Sequence, residues 1–143
     1  MLLGEYRHTV DDKNRVAVPS KFRSVLKSGA IITKGLDDCL FLYPKAAWHA
    51  WAEKLSKLPI SQSKSRAFAR MMLGGAMEAE LDKQGRIVLP DYLKEYAHLS
   101  RQVVIAGLYD RLEIWDVERW QNYKQQTEKD SSHIAETLAH LGV

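Results

Sequence analysis

Asp11-Asp12-Lys13-Asn14-Arg15-Val16-Ala17-Val18-Pro19-Ser20-Lys21-Phe22-Arg23 returns 71 positions further on as Asp82-Lys83-Gln84-Gly85-Arg86-Ile87-Val88-Leu89-Pro90-Asp91-Tyr92-Leu93-Lys94. The offset lays Asp11 on Asp82, Arg15 on Arg86 and Pro19 on Pro90, with the apolar pairs Val16/Ile87 and Val18/Leu89 in step. The chain is a tandem repeat, and the two copies are read together.

Within each copy the residue types dictate a local path. Tyr6, His8 and Val10 alternate with Arg7 and Thr9, the period of a strand with one buried face. An Asp then opens a reversal, because its carboxylate can accept hydrogen bonds from main-chain N–H groups a few residues on. The position before the Arg holds Asn14 in one copy and Gly85 in the other, the residue types that best tolerate positive φ. Asp11, Asp82, Asn14 and Gly85 are therefore the turn-bracing candidates. Extended residues lead to a Pro suited to the first position of a helix, and Phe22 with Leu26, or Leu93 with Ala97, then share a helix face. Each copy reads strand, tight turn, strand, short helix.

Working outward, Ala30–Lys34 and Leu40–Tyr43 form a second hairpin around Gly35-Leu36-Asp37-Asp38-Cys39. In the other copy Val103–Ala106 and Leu112–Trp115 flank a turn expected over Gly107-Leu108-Tyr109-Asp110-Arg111. Each copy closes with a helix entered through Pro44 or the N-cap candidate Asp116, with Trp48 and Trp120 in register. Trp48, Trp51, Leu55 and Leu58 make an apolar stripe, 59–63 is a linker, and a further helix is expected from Lys64 to Leu73, stopped by Gly74-Gly75. The polar run 123–130 is expected to be helix or coil, followed by a weakly amphipathic ending through Ile134, Leu138 and Leu141. The expected organisation is a first repeat over 3–50, a helical connector over 51–73, a second repeat over 74–121 and a tail over 122–143. A unit of about 45 residues is near the size at which a core fails to stabilise itself, so such units are expected to pair and share one core.

Among the 143 residues, 45% are hydrophobic and 27% charged, the balance of a soluble globular protein. A single cysteine excludes an intrachain disulfide, the start of the chain lacks a signal-peptide pattern, and no apolar run approaches a membrane span, so a cytoplasmic location is expected. The net charge is +3, distributed unevenly: residues 1–72 hold 13 Lys and Arg against 6 Asp and Glu, and residues 73–143 hold 8 against 12. A polyanion would meet the first repeat more strongly than the second.

These motifs resemble the swapped-hairpin domain of bacterial transcription factors of the AbrB and SpoVT type and, as two copies in one chain, the MraZ family. The resemblance runs from Leu3 to Trp120. It is carried by Asp11-x-x-x-Arg15 and Asp82-x-x-x-Arg86, each with its apolar-Pro ending, together with Gly35-x-x-x-Cys39-Leu40-x-Leu42-Tyr43-Pro44 and Trp48. It implies a β-rich α+β fold: tandem AbrB/SpoVT-like swapped-hairpin (double-split β-α-β) repeats with peripheral helices. It implies a sequence-specific DNA-binding repressor acting on the promoter of the division and cell-wall gene cluster, including its own gene. Such proteins form homo-oligomers, often rings, on double-stranded DNA with short direct repeats, are nucleoid-associated, and need no cofactor, membrane or small-molecule substrate. One departure is Asn14, where the family pattern leads one to expect Gly.

Arg15 and Arg86 admit two roles, which can coexist: reading bases from a hairpin bend, or closing the turn by a salt bridge to Asp11 and Asp82. Lys13, Arg7, Arg23, Lys21 and Lys34 would suit phosphate oxygens, adding salt-dependent affinity without sequence choice. An alternative function is a protein-interaction or dimerisation module of antitoxin type, with DNA binding secondary. An enzyme has no residues to recommend it. The five histidines are scattered without metal-site spacing, Cys39 reads as a packed thiol, and no phosphate loop or nucleophile set appears.

Overall fold

A computed structural model describes residues 1–143. The first repeat runs β1 (Leu2–Thr9), β2 (Arg15–Ala17), a 3-10 turn (Ser20–Phe22) continuing into α1 (Arg23–Leu26), β3 (Ala30–Lys34), β4 (Leu40–Pro44) and α2 (Lys45–Ser56). After α3 (Ser63–Gly74), the second repeat runs β5 (Met77–Ala79), β6 (Arg86–Val88), α4 (Asp91–Tyr96), β7 (Gln102–Tyr109), β8 (Leu112–Asp116) and α5 (Val117–Lys129). The chain ends in α6 (Ser131–Thr137) and a 3-10 turn (Ala139–Leu141). No helix is long and apolar enough to cross a membrane.

The fold is mixed α+β and rich in sheet. A six-stranded antiparallel sheet has the order β1-β7-β8-β4-β3-β5, and β2 and β6 form a separate two-stranded ribbon. That order interleaves the repeats. β1 of the first copy pairs along its whole length with β7 of the second, β5 of the second pairs with β3 of the first, and the ribbon takes one strand from each. The halves therefore exchange strands within a single chain.

The period of two along the strands explains two apolar layers. On β4, Leu40 and Leu42 face a nineteen-residue core that also takes Val16, Val18, Ile87 and Leu89 from the ribbon and Phe22, Leu26, Leu93 and Ala97 from the short helices. The alternate residues Cys39, Phe41 and Tyr43 face a second cluster with Leu55, Met72 and Trp115, covered by Trp48, Trp51, Phe68 and Trp120. Both faces of the central strands are thus buried, which removes any polar alternation from Leu40–Tyr43. Thr33 is fully buried and its hydroxyl donates to the carbonyl of Met72 at 2.6 Å, tying β3 to α3.

Three details differ from the sequence expectations. Gly107 and Leu108 belong to β7 and not to a turn, because β1 lies against them: Gly4 pairs with Gly107, and a Cβ there would stand 2.6 Å from main-chain atoms of Leu2 and Leu3. The corresponding Gly35 precedes a true turn, with Asp37 and Asp38 at φ 64° and 61°. The divisions at 50/51 and 121/122 fall inside α2 and α5, since each repeat's closing helix runs on past the aligned tryptophan.

Candidate nucleic-acid interface

The ribbon joins β2 to β6 in antiparallel register, Arg15 opposite Val88, Val16 opposite Ile87 and Ala17 opposite Arg86. Its inward positions Val16 and Ile87 are buried, so the neighbouring arginines face away from the core. Each strand is preceded by an Asp-x-x-x-Arg turn, and the two turns are built alike.

In the first turn one Asp11 carboxylate oxygen accepts from the main-chain N–H groups of Lys13 and Arg15, each at 2.9 Å. The other accepts from Arg15 Nε at 2.8 Å. In the second, Asp82 accepts from the N–H groups of Gln84 and Arg86 at 2.9 Å and from Arg86 Nε at 2.9 Å. Asn14 and Gly85 take the left-handed conformation that closes each reversal, at φ 59° and 75°. The main-chain hydrogen bond from Arg15 chiefly holds the Asp11 carboxyl below the usual carboxylate range, helped by the guanidinium itself; Arg86 does the same for Asp82.

This arrangement settles how the arginines are held. Nε is committed to the Asp, which orients the planar guanidinium, and the two Nη atoms of Arg15 have no hydrogen-bond partner in the chain. Arg86 is placed likewise, its Nη1 passing 3.9 Å from Asp11, so the two turns are electrostatically joined. The side chains keep 29% and 27% of their exposure, neither locked into the core nor fully free. A guanidinium so held can offer a forked pair of donors to a planar acceptor.

The other expected residues divide. Lys13 is exposed at the tip of the first turn. Arg23 is near the first turn in sequence but lies over the second in space: a Cβ on Gly85 would collide with its guanidinium, and its Nε donates to the Val18 carbonyl at 2.9 Å. Its charge, after burial, also lowers the His8 pKa. Lys21 places its ammonium 5.4 Å from the ring centres of Tyr6 and Phe22. Lys34 lies 5.5 Å over the Tyr96 ring, at the end of α4 away from the first turn. Arg7 projects from β1 on the face opposite Tyr6 and His8, where Glu5 pairs with Lys124 of α5. Of the cations named from sequence, Arg15, Arg86, Lys13 and Arg23 are thus brought together at the turns, and Arg7 and Lys34 are not.

Cations missed from sequence join this end of the molecule. Lys83 belongs to the second turn, Lys94 reaches Asn14 at 2.6 Å, and Arg101 pairs with exposed Asp12 at 3.6 Å. The alignment of Lys94 with Arg23 was the available signal for the second. No group of three or more His, Cys, Asp or Glu residues stands close enough to hold a metal ion.

Similarity to known proteins extends over the whole chain. The family model described as "MraZ protein, putative antitoxin-like" matches twice, over residues 1–71 and 72–141. Proteins named "Transcriptional regulator MraZ" are similar over 143 residues, the whole of both chains: 48% identical in Natranaerobius thermophilus, 49% in Desulfitobacterium hafniense strain DCB-2 and 45% in Moorella thermoacetica. With both repeats matched and such relatives aligned end to end, the chain belongs to the MraZ family, whose members named here are transcriptional regulators and not enzymes.

Proposed function

We propose that this chain is a sequence-specific DNA-binding transcriptional repressor whose β2–β6 ribbon and paired turns meet duplex DNA. The observation that carries the reading is the pair of guanidinium groups held by Asp11 and Asp82 on the outward face of a shared ribbon, one at the start of each antiparallel strand, with Arg15 Nη1 and Nη2 free. A two-stranded ribbon is narrow enough for the roughly 12 Å major groove, where an arginine can donate two hydrogen bonds to guanine O6 and N7. Arg15 is the principal reader and Arg86 its partner. Lys13, Lys83 and Arg23 contact phosphate, with Lys21 at the margin of the same surface and Arg7 and Lys34 reaching DNA only along a longer path.

The repeats are of the AbrB/SpoVT swapped-hairpin type, and the operator is a set of short direct repeats in the promoter of the division and cell-wall cluster, the protein's own gene included. A homo-oligomer, a ring in the form implied by the family, would engage several repeats at once and gain through effective concentration. The protein acts in the cytoplasm on the nucleoid. The test is fluorescence anisotropy with repeat-bearing and scrambled duplexes across a salt series. Arg15→Ala should weaken repeat binding by roughly 5- to 150-fold, the equivalent of one bidentate contact, while the protein stays folded. Equal affinity of wild type and variant would remove Arg15 as reader.

A second reading, a protein-interaction module of antitoxin type, is favoured by the C-terminal arm, where Ile134, Leu138 and Leu141 are exposed. It predicts a shallow salt dependence of DNA affinity, where groove binding predicts a steep one.

A further inference from the structure

Asn14 and Gly85 occupy the same place in the two turns, yet the structure holds them differently. Asn14 Oδ1 accepts from Lys94 Nζ at 2.6 Å, and Asn14 Nδ2 donates to Asp91 Oδ1 at 2.9 Å. Lysine can only donate and a carboxylate can only accept, so these partners also fix which way the amide faces. Asp91 and Lys94 both belong to α4, in the opposite repeat. At the second turn the residue in step with Lys94 is Arg23, and the one in step with Asp91 is Ser20. Gly85 has no side chain to be gripped; Arg23 merely covers it and spends its Nε on Val18.

We propose that Asn14 is a positioning residue: a side-chain latch tying the first Asp-x-x-x-Arg turn to helix α4 of the other repeat, which fixes the direction of Arg15 and makes the first turn the stiffer of two unequal readers. Glycine would reach φ 59° with less strain than asparagine, so the amide contributes something other than backbone freedom. What it contributes is two hydrogen bonds to charged partners, each stronger than a neutral pair. The carbonyl of the same residue accepts from Leu89 N–H at 2.7 Å, so main chain and side chain of residue 14 are both held by the second repeat. Arg15 is the next residue along, and its guanidinium inherits that restraint through a peptide plane and the Asp11 contact.

The inference rests on the DNA-reading proposal for its functional half, and the experiment separates the two. Asn14→Gly keeps the left-handed turn and deletes the latch; Lys94→Met deletes one arm of it. In the full-length protein without DNA, amide exchange at Lys13 and Arg15 should rise about tenfold in Asn14→Gly, with Gln84 and Arg86 unchanged. With DNA, discrimination between repeat-bearing and scrambled duplexes should fall about tenfold while scrambled binding and its salt slope stay as in wild type. Lys94→Met should move both readouts the same way by less, and adding it to Asn14→Gly should change little further. Wild-type exchange in Asn14→Gly, or equal loosening of both turns, overturns the latch. Altered exchange with undiminished discrimination overturns its control of Arg15. If wild type shows no preference for repeat DNA, the DNA reading fails, and the exchange contrast between the turns alone decides whether the latch stands.

Discussion

The main-chain N–H of Leu89 donates to the carbonyl of Asn14 at 2.7 Å, and its counterpart runs from Val18 to Gly85 at 2.9 Å. Each turn is therefore finished by the other repeat. With β1 exchanged one way and β5 the other, neither copy contains the partners of its own first two strands, and each Asp-x-x-x-Arg turn, braced locally by its Asp, takes one further main-chain hydrogen bond from the opposite copy. On the proposed reading, the unit presented to DNA is the pair of turns.

The exchange of β1 depends on the close approach at Gly107. Gly107→Ala forces a methyl against the main chain of Leu2 and Leu3, where an added Cβ would stand 2.6 Å away. The expected destabilisation is about 1–3 kcal/mol, the usual range for overpacking. Urea denaturation measures it, and amide exchange along β1 should rise ahead of global unfolding.

The turns carry an acid-dependent restraint. The folded pKa values of Asp11 and Asp82 lie below the ordinary 3.8, so their contribution is fully present above that value and is lost as pH falls through the lowered one. The Nε–H resonances of Arg15 and Arg86 should accordingly hold their positions down to about pH 4 and move together below it. Asp11→Asn should abolish the acid step for Arg15 alone.

Thr33 tests the joint between sheet and connector. Its hydroxyl is buried and donates to Met72 O at 2.6 Å, so Thr33→Val leaves a buried carbonyl without that donor. A loss of about 1–3 kcal/mol is expected from denaturation midpoints, with DNA affinity at saturating fold unchanged. Thr33→Ser, which keeps the donor, should recover part of it.

Cys39 reports on the second cluster. It is fully buried, its Sγ lies 3.1 Å from the Leu36 carbonyl, and burial, reinforced by Glu113 and Asp37, pushes its thiol pKa up. A thiol reagent at neutral pH should react only as fast as the hairpin opens, and the rate should climb with urea alongside unfolding. Fast labelling of the native protein would contradict this packing.

Much of the local structure was legible because short-range chemistry dictates it. Asp at the start of each turn, Asn14 or Gly85 where φ is positive, and Pro19 or Pro90 ahead of a helix are choices that each involve only a few neighbouring residues. The repeat spacing likewise exposed Arg15 and Arg86 as equivalents. The paths of the cations around them were less legible: Arg23 follows the first turn in sequence yet lies over the second, and Arg7 faces α5.

The amino-acid order by itself determined two copies of a strand-turn-strand-helix unit, each too small to bury a core alone, and the acid that braces each arginine. Only the tertiary structure decided that the copies trade strands within one chain and that Asn14 is gripped by Asp91 and Lys94, 77 and 80 residues away. The reason is physical. A turn is fixed by hydrogen bonds among adjacent residues, whereas strand exchange and cross-repeat contacts arise from burying two half-cores against each other, a gain that no local segment encodes.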